Sequence, residues 1–154
     1  MLGIDASPQA NAAWMEHEIL DHVKDALRVT ISWRVPSVGI GRKRSSVLFT
    51  LGSFRRHLER LMQLEERDGY MGQIAETKPH LFDQVNDLIS EHQEFRNRMQ
   101  RLVPALEAAG NAETGDFQRV CEEIQELLDR VDEHDEHEVC LLQEAFLSDE
   151  GGEG

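Results

Sequence analysis

The stretch VDEHDEHEVCLLQEAF, residues 131–146, sets histidines among carboxylates. His134 and Glu138 are four residues apart, so on a helix they share one face and can converge on a single ion. His17, Glu65 and His92 carry the same donor types in three other segments. Imidazole together with carboxylate inside a helical bundle suits iron or manganese and, in a different geometry, zinc. Each candidate also has a plainer reading. His134 and Glu138 fit a solvated acidic face, His92 a hydrogen-bonded core histidine, and Glu65 half of a surface pair with Glu66. Helix-wheel geometry does not separate His17 cleanly from His22.

The elements that must position these residues are helices, and the candidates interrupt their apolar seams. In the last segment Phe117, Val120, Ile124, Leu127, Val131, His134, Glu138, Leu141 and Ala145 step by three and four, the spacing of a buried stripe. The segment before it runs Leu81, Val85, Leu88, His92, Phe95, Met99, Leu102, Leu106, and a third runs Val47, Leu51, Phe54, Leu58, Leu61, Glu65. The first helix, over residues 7–34, has a broader stripe of Ile19, Leu20, Val23, Ala26, Leu27, Thr30 and Ile31. An imidazole or carboxylate left unpaired in such a seam costs roughly several kcal/mol, so the intruders need a common compensating partner. Breaks are predicted at Pro36, Gly39 and Gly41, from Asp68-Gly69 to an N-cap at Thr77 with Pro79, and at Gly110, Asn111 and Gly115. Pro104 is expected to loosen the end of the third helix. Short connections favour antiparallel neighbours, so the fold class is all-α, an up-down-up-down antiparallel four-helix bundle over residues 1–147, with a disordered tail at 148–154.

Four pieces of text, EHEIL around His17, LMQLEERDGYM around Glu65, LISEHQEF around His92 and HDEHEVCLLQEAF around His134 and Glu138, resemble in order and spacing the hemerythrin-like, or HHE cation-binding, domain family. The resemblance spans Trp14 to Phe146. It implies a carboxylate-bridged di-iron centre, with His17, His92 and His134 as terminal ligands and Glu65 and Glu138 as bridges. It further implies dioxygen or another small molecule as a ligand. One position departs from the family's pattern: the second helix should read His-x-x-x-Glu, and Leu61 stands where that histidine belongs. Three outcomes follow: an iron with an open position, a replacement ligand from His57 or His22, or the loss of one or both metals. A metal-free bundle acting as an interaction module is therefore the alternative, and an oxidoreductase using the open position is a third reading.

Composition limits the partners. A net charge of −14, from 30 acids against 16 bases in 154 residues, argues against nucleic acid and against a membrane of anionic lipid. No basic and apolar leader opens the chain and no run of 18 apolar residues occurs, so a cytoplasmic protein is expected. Cys121 and Cys140 fit a reducing compartment. No Glu-x-x-His pair of the ferritin type is present. HEILDH is one residue too long for a zinc-protease motif. GIGRKRSS, residues 39–46, lacks the preceding strand of a phosphate loop. It reads as a connector whose basic cluster can dock an acidic partner or the chain's own acidic surface.

Overall fold

A computed structural model describes residues 8–34, 39–67, 69–109 and 114–152. It is all-α, with no strand among the described residues. Four long helices, α1 (Pro8–Ser32), α2 (Ile40–Arg67), α4 (Phe82–Ala108) and α5 (Thr114–Gly152), are joined by a short helix α3 (Tyr70–Thr77) and a 3-10 turn (Pro79–Leu81) between α2 and α4. Helix α1 packs on α2, α2 on α4, α4 on α5, and α5 back on α1. Among the described residues no helix is long and apolar enough to cross a membrane.

All the residues of the α2, α4 and α5 seams named above are buried, the polar intruders included. Helix α1 differs. Of its predicted stripe only Leu20 and Leu27 are buried, while Ile19 is 38% exposed. Its inward face also carries Glu16 and Lys24, at 5% and 6% exposure. Glu16 accepts from His57 and pairs with Arg60 at 3.2 Å. Lys24 reaches Asp132 at 2.6 Å and Asp135 at 3.4 Å, and Arg28 reaches Asp129 and Asp132 at 3.0 and 2.5 Å. These charges pin α1 to α2 and α5, and because they face inward they break the apolar pattern that would have marked this face.

Several boundaries depart from expectation. The span taken as a break from Asp68 to an N-cap at Thr77 is mostly helix α3, and Thr77 ends it, its hydroxyl donating to the Gln73 carbonyl. Met71 and Ile74 drive this: they bury against Leu81, Val85, Leu88, Leu141 and Ala145 and close that end of the bundle. Gly69 makes the turn into α3 feasible. A Cβ there would lie 2.5 Å from the Leu64 carbonyl and 2.7 Å from the Glu65 Cα, so only glycine lets the chain pass so close. Gly41 and Gly115 lie inside the first turns of α2 and α5, where amides lack helical partners in any case. GIGRKRSS is accordingly mostly the start of α2 rather than a connector. Helix α4 continues through Pro104 to Ala108. Helix α5 continues into the stretch read as a tail: Ser148, Asp149 and Glu150 contain no breaker, and an established helix adds such residues at little cost. Pro36, Asp68, Gly110 and Asn111 lie outside the described residues.

Candidate metal centre

Four of the five predicted ligands come together. Glu65 from α2, His92 from α4, and His134 and Glu138 from α5 each offer a donor atom, and these atoms all lie within 4.8 Å of one another. All four residues are buried, His92 completely. His92 Nε2 is 3.1 Å from His134 Nε2 and 3.4 Å from Glu65 Oε1; His134 Nε2 is 3.0 Å from Glu138 Oε1. His17 joins only at the edge. Its Nε2 touches Glu65 Oε2 at 3.3 Å, and its side chain is 34% exposed.

The outer contacts of the two histidines determine what the inner atoms can do. His92 Nδ1 donates to Glu66 Oε2 at 2.6 Å, and His134 Nδ1 donates to Glu91 Oε1 at 2.7 Å. With hydrogen on both Nδ1 atoms, neutral rings present lone pairs at both Nε2 atoms, aimed across 3.1 Å. Something positive has to lie between them, either a proton or a metal ion. A single proton leaves the site incomplete. Glu65 Oε1 and Glu138 Oε1 are buried without a hydrogen bond; the 3.0 Å approach of His134 to Glu138 has the distance of one but not the direction. A cation would engage all four donors, and two imidazoles with two carboxylates form a chemically reasonable set for a divalent transition metal.

Protein-family models, curated proteins and solved structures give no match to this chain. The chemistry of the centre therefore rests on its own geometry.

The electrostatics of the cluster favour positive charge among these carboxylates. Burial opposes charge on His134, but Glu138, Glu91 and Glu65 outweigh it and raise its pKa to about 9. His17 is raised likewise to about 9, burial being overcome by Glu65, Glu138 and Asp135. The two buried carboxylates split: against the effect of burial, Glu65 is held low by His17 and His92, whereas burial and the neighbouring Glu65 push Glu138 up despite His134. Tyr70, on α3, donates its hydroxyl to Glu138 Oε2, and burial together with the nearby carboxylates keeps it protonated.

Glu66, Glu91 and Tyr70 were not singled out by the sequence pattern, although a signal exists. Each outer carboxylate is the chain neighbour of a ligand, yet it serves the histidine of the next helix: Glu66, beside Glu65, holds His92, and Glu91, beside His92, holds His134. Arg96 fixes Glu66 through two bonds of 2.9 and 3.0 Å, and with His92 it holds that carboxyl below the usual range in spite of burial. His137 is exposed and its Nδ1 lies 3.0 Å from Glu91 Oε2. A cavity of about 470 Å³ between α4 and α5 opens onto Glu91, His137 and Cys140. The replacement ligands expected for Leu61, His57 and His22, are not among the converging donors: His57 is engaged with Glu16 and His22 is exposed. Leu61 is 2% exposed within the apolar core.

Outer-sphere carboxylates set the tautomer and basicity of a ligating histidine, so Glu91→Gln is expected to weaken metal affinity about 10- to 100-fold with little change in helix content. Competition with a chromophoric chelator measures this. Unchanged affinity would mean that the Glu91–His134 bond does not serve a metal.

Proposed function

We propose that this chain is a hemerythrin-like protein, an up-down-up-down antiparallel bundle that binds non-haem iron and serves oxygen or redox sensing or iron handling. The observation that carries the reading is the meeting of two imidazole Nε2 atoms and two unsatisfied buried carboxylate oxygens, with both Nδ1 atoms already committed outward. The resemblance of the four quoted segments supplies iron rather than manganese or zinc. Bound iron would supply reversible redox chemistry and a position for a small ligand such as dioxygen. The protein's own residues bind and orient: Glu66 and Glu91 fix the imidazoles, Tyr70 keeps Glu138 in place, and the apolar shell excludes water. Leu61 and the edge position of His17 favour one ion over two.

Metal analysis of the aerobically purified, untagged chain is expected to give about one iron per chain by this ligand count, with visible absorption that chelation removes. The pH dependence provides a second handle on the same preparation. In the metal-free protein, His17 and His134 are raised from 6.5 to about 9, so the stability contributed by their protons is fully present below pH 6.5 and is lost as pH rises through about 9. A metal ion displaces those protons, so its affinity should rise across that window. Thermal melts should therefore show the metal-free chain weakening between pH 6.5 and 9 and the loaded chain holding. Absence of metal even after anaerobic iron loading would favour the metal-free interaction module.

A further inference from the structure

Seven of the chain's 16 Lys and Arg residues, and none of its 30 Asp and Glu residues, fall between Ala26 and Leu58. The net charge of −14 is thus an average over two unlike regions. Within the basic region, Arg42, Phe49 and Arg56 follow one another at intervals of seven residues, two helical turns, on the face of α2 opposite its buried seam. All three are exposed, Phe49 at 77%. At the end of α1, Val29 and Trp33 stand one turn apart with exposures of 69% and 48%, followed by exposed Arg34. No ion pair engages Arg34, Arg42 or Arg56 among the described residues, although the chain is rich in acids elsewhere.

We propose that this outer face of α1 and α2 is a docking surface for an anionic lipid bilayer. A phenylalanine standing nearly free in line with two unpaired arginines on α2, and exposed Val29 and Trp33 beside an unpaired arginine at the end of the adjoining α1, are what an interfacial surface requires: the apolar side chains enter the headgroup boundary while the guanidinium groups meet phosphates. An acidic peptide would account for the arginines but would leave a phenylalanine at 77% exposure without a groove to share. Arg42 also lies in the first turn of α2, which has no acidic residue, so it faces the positive end of the helix dipole, an arrangement a neighbouring anion relieves. The acidic remainder does not prevent contact. At physiological salt charges are screened over about 8 Å, so the face that touches the bilayer governs the encounter and the acidic bulk turns away from it.

The test is independent of metal content. Trp14→Phe leaves Trp33 as the only indole of the two in the chain. On titration with phosphatidylglycerol-containing vesicles, Trp33 emission should shift to the blue and the protein should co-sediment; with phosphatidylcholine vesicles it should do neither, and salt should reverse the binding. Arg42→Gln and Arg56→Gln should each weaken partitioning about fivefold, and Phe49→Ser about tenfold, with unchanged far-UV circular dichroism. Failure to bind anionic vesicles, equal binding to neutral ones, or full binding by these variants would overturn the proposal. Capture of polyglutamate or duplex DNA through the same arginines, without vesicle binding, would overturn it in favour of an acidic polypeptide or a nucleic acid.

Discussion

Replacing His134 with alanine is expected to empty the metal centre. His134 contributes one of four converging donors, and it lies 3.1 Å from His92 and 3.0 Å from Glu138. Dividing the roughly 10–16 kcal/mol typical of a four-ligand structural site gives about 3 kcal/mol per ligand, or an affinity loss of about a hundredfold or more. The same substitution also acts on the metal-free protein. Its ring sits 4.8 Å from the His92 ring and 5.3 Å, edge on, from Phe95, so truncation opens a void and removes the positive charge between Glu65, Glu91 and Glu138. A stability loss of about 3–5 kcal/mol is expected from breaking such a buried network. Metal per chain and a thermal melt, each with and without iron, read the two effects separately. Glu138→Ala should repeat the metal loss. If both variants kept the wild-type metal content, the ligand assignment would be wrong, whatever happened to their stability.

Seams were legible where one face of a helix has one kind of neighbour. On α2, α4 and α5 the apolar residues recur at three and four, and a histidine or glutamate in that register is conspicuous because nothing else in the stripe is polar. Helix α1 hid its inward face, since Glu16 and Lys24 are buried through partners on α2 and α5 that are distant in sequence. His17 sits beside that face for the same reason and reaches the centre only through Glu65. Helix α3 was masked by its punctuation. Asp68-Gly69 and Pro79 do mark turns, but nine residues lie between them, and eight of these make two helical turns once Met71 and Ile74 find the end of the core. The outer carboxylates were invisible for a geometric reason: Glu66 and Glu91 point about 100° away from their neighbouring ligands, and their purpose appears only when the adjacent helix brings its imidazole alongside. The charge segregation of α1 and α2 was obscured by summing over the whole chain.

Placing a histidine at position 61 should have opposite effects with and without metal. Leu61 lies one turn before Glu65 on the same buried face and is 2% exposed. Without metal, Leu61→His exchanges an apolar side chain for a polar ring of similar volume with no assigned partner, a cost of about 2–5 kcal/mol. For a chain of this length that corresponds to a melting temperature lower by roughly 10 °C. With iron the new imidazole would join His17 and the carboxylate of Glu65 around a second ion, so the loaded variant should recover stability through binding linkage. Metal per chain should rise from about one towards about two. The comparison separates two explanations for Leu61. If the second ion binds, the bundle retains the backbone of a two-metal centre and the substitution alone limits it to one. If iron neither restores stability nor changes stoichiometry, the surroundings have repacked around leucine, with Glu65 serving the single ion and His17 serving only as the proton partner of Glu65.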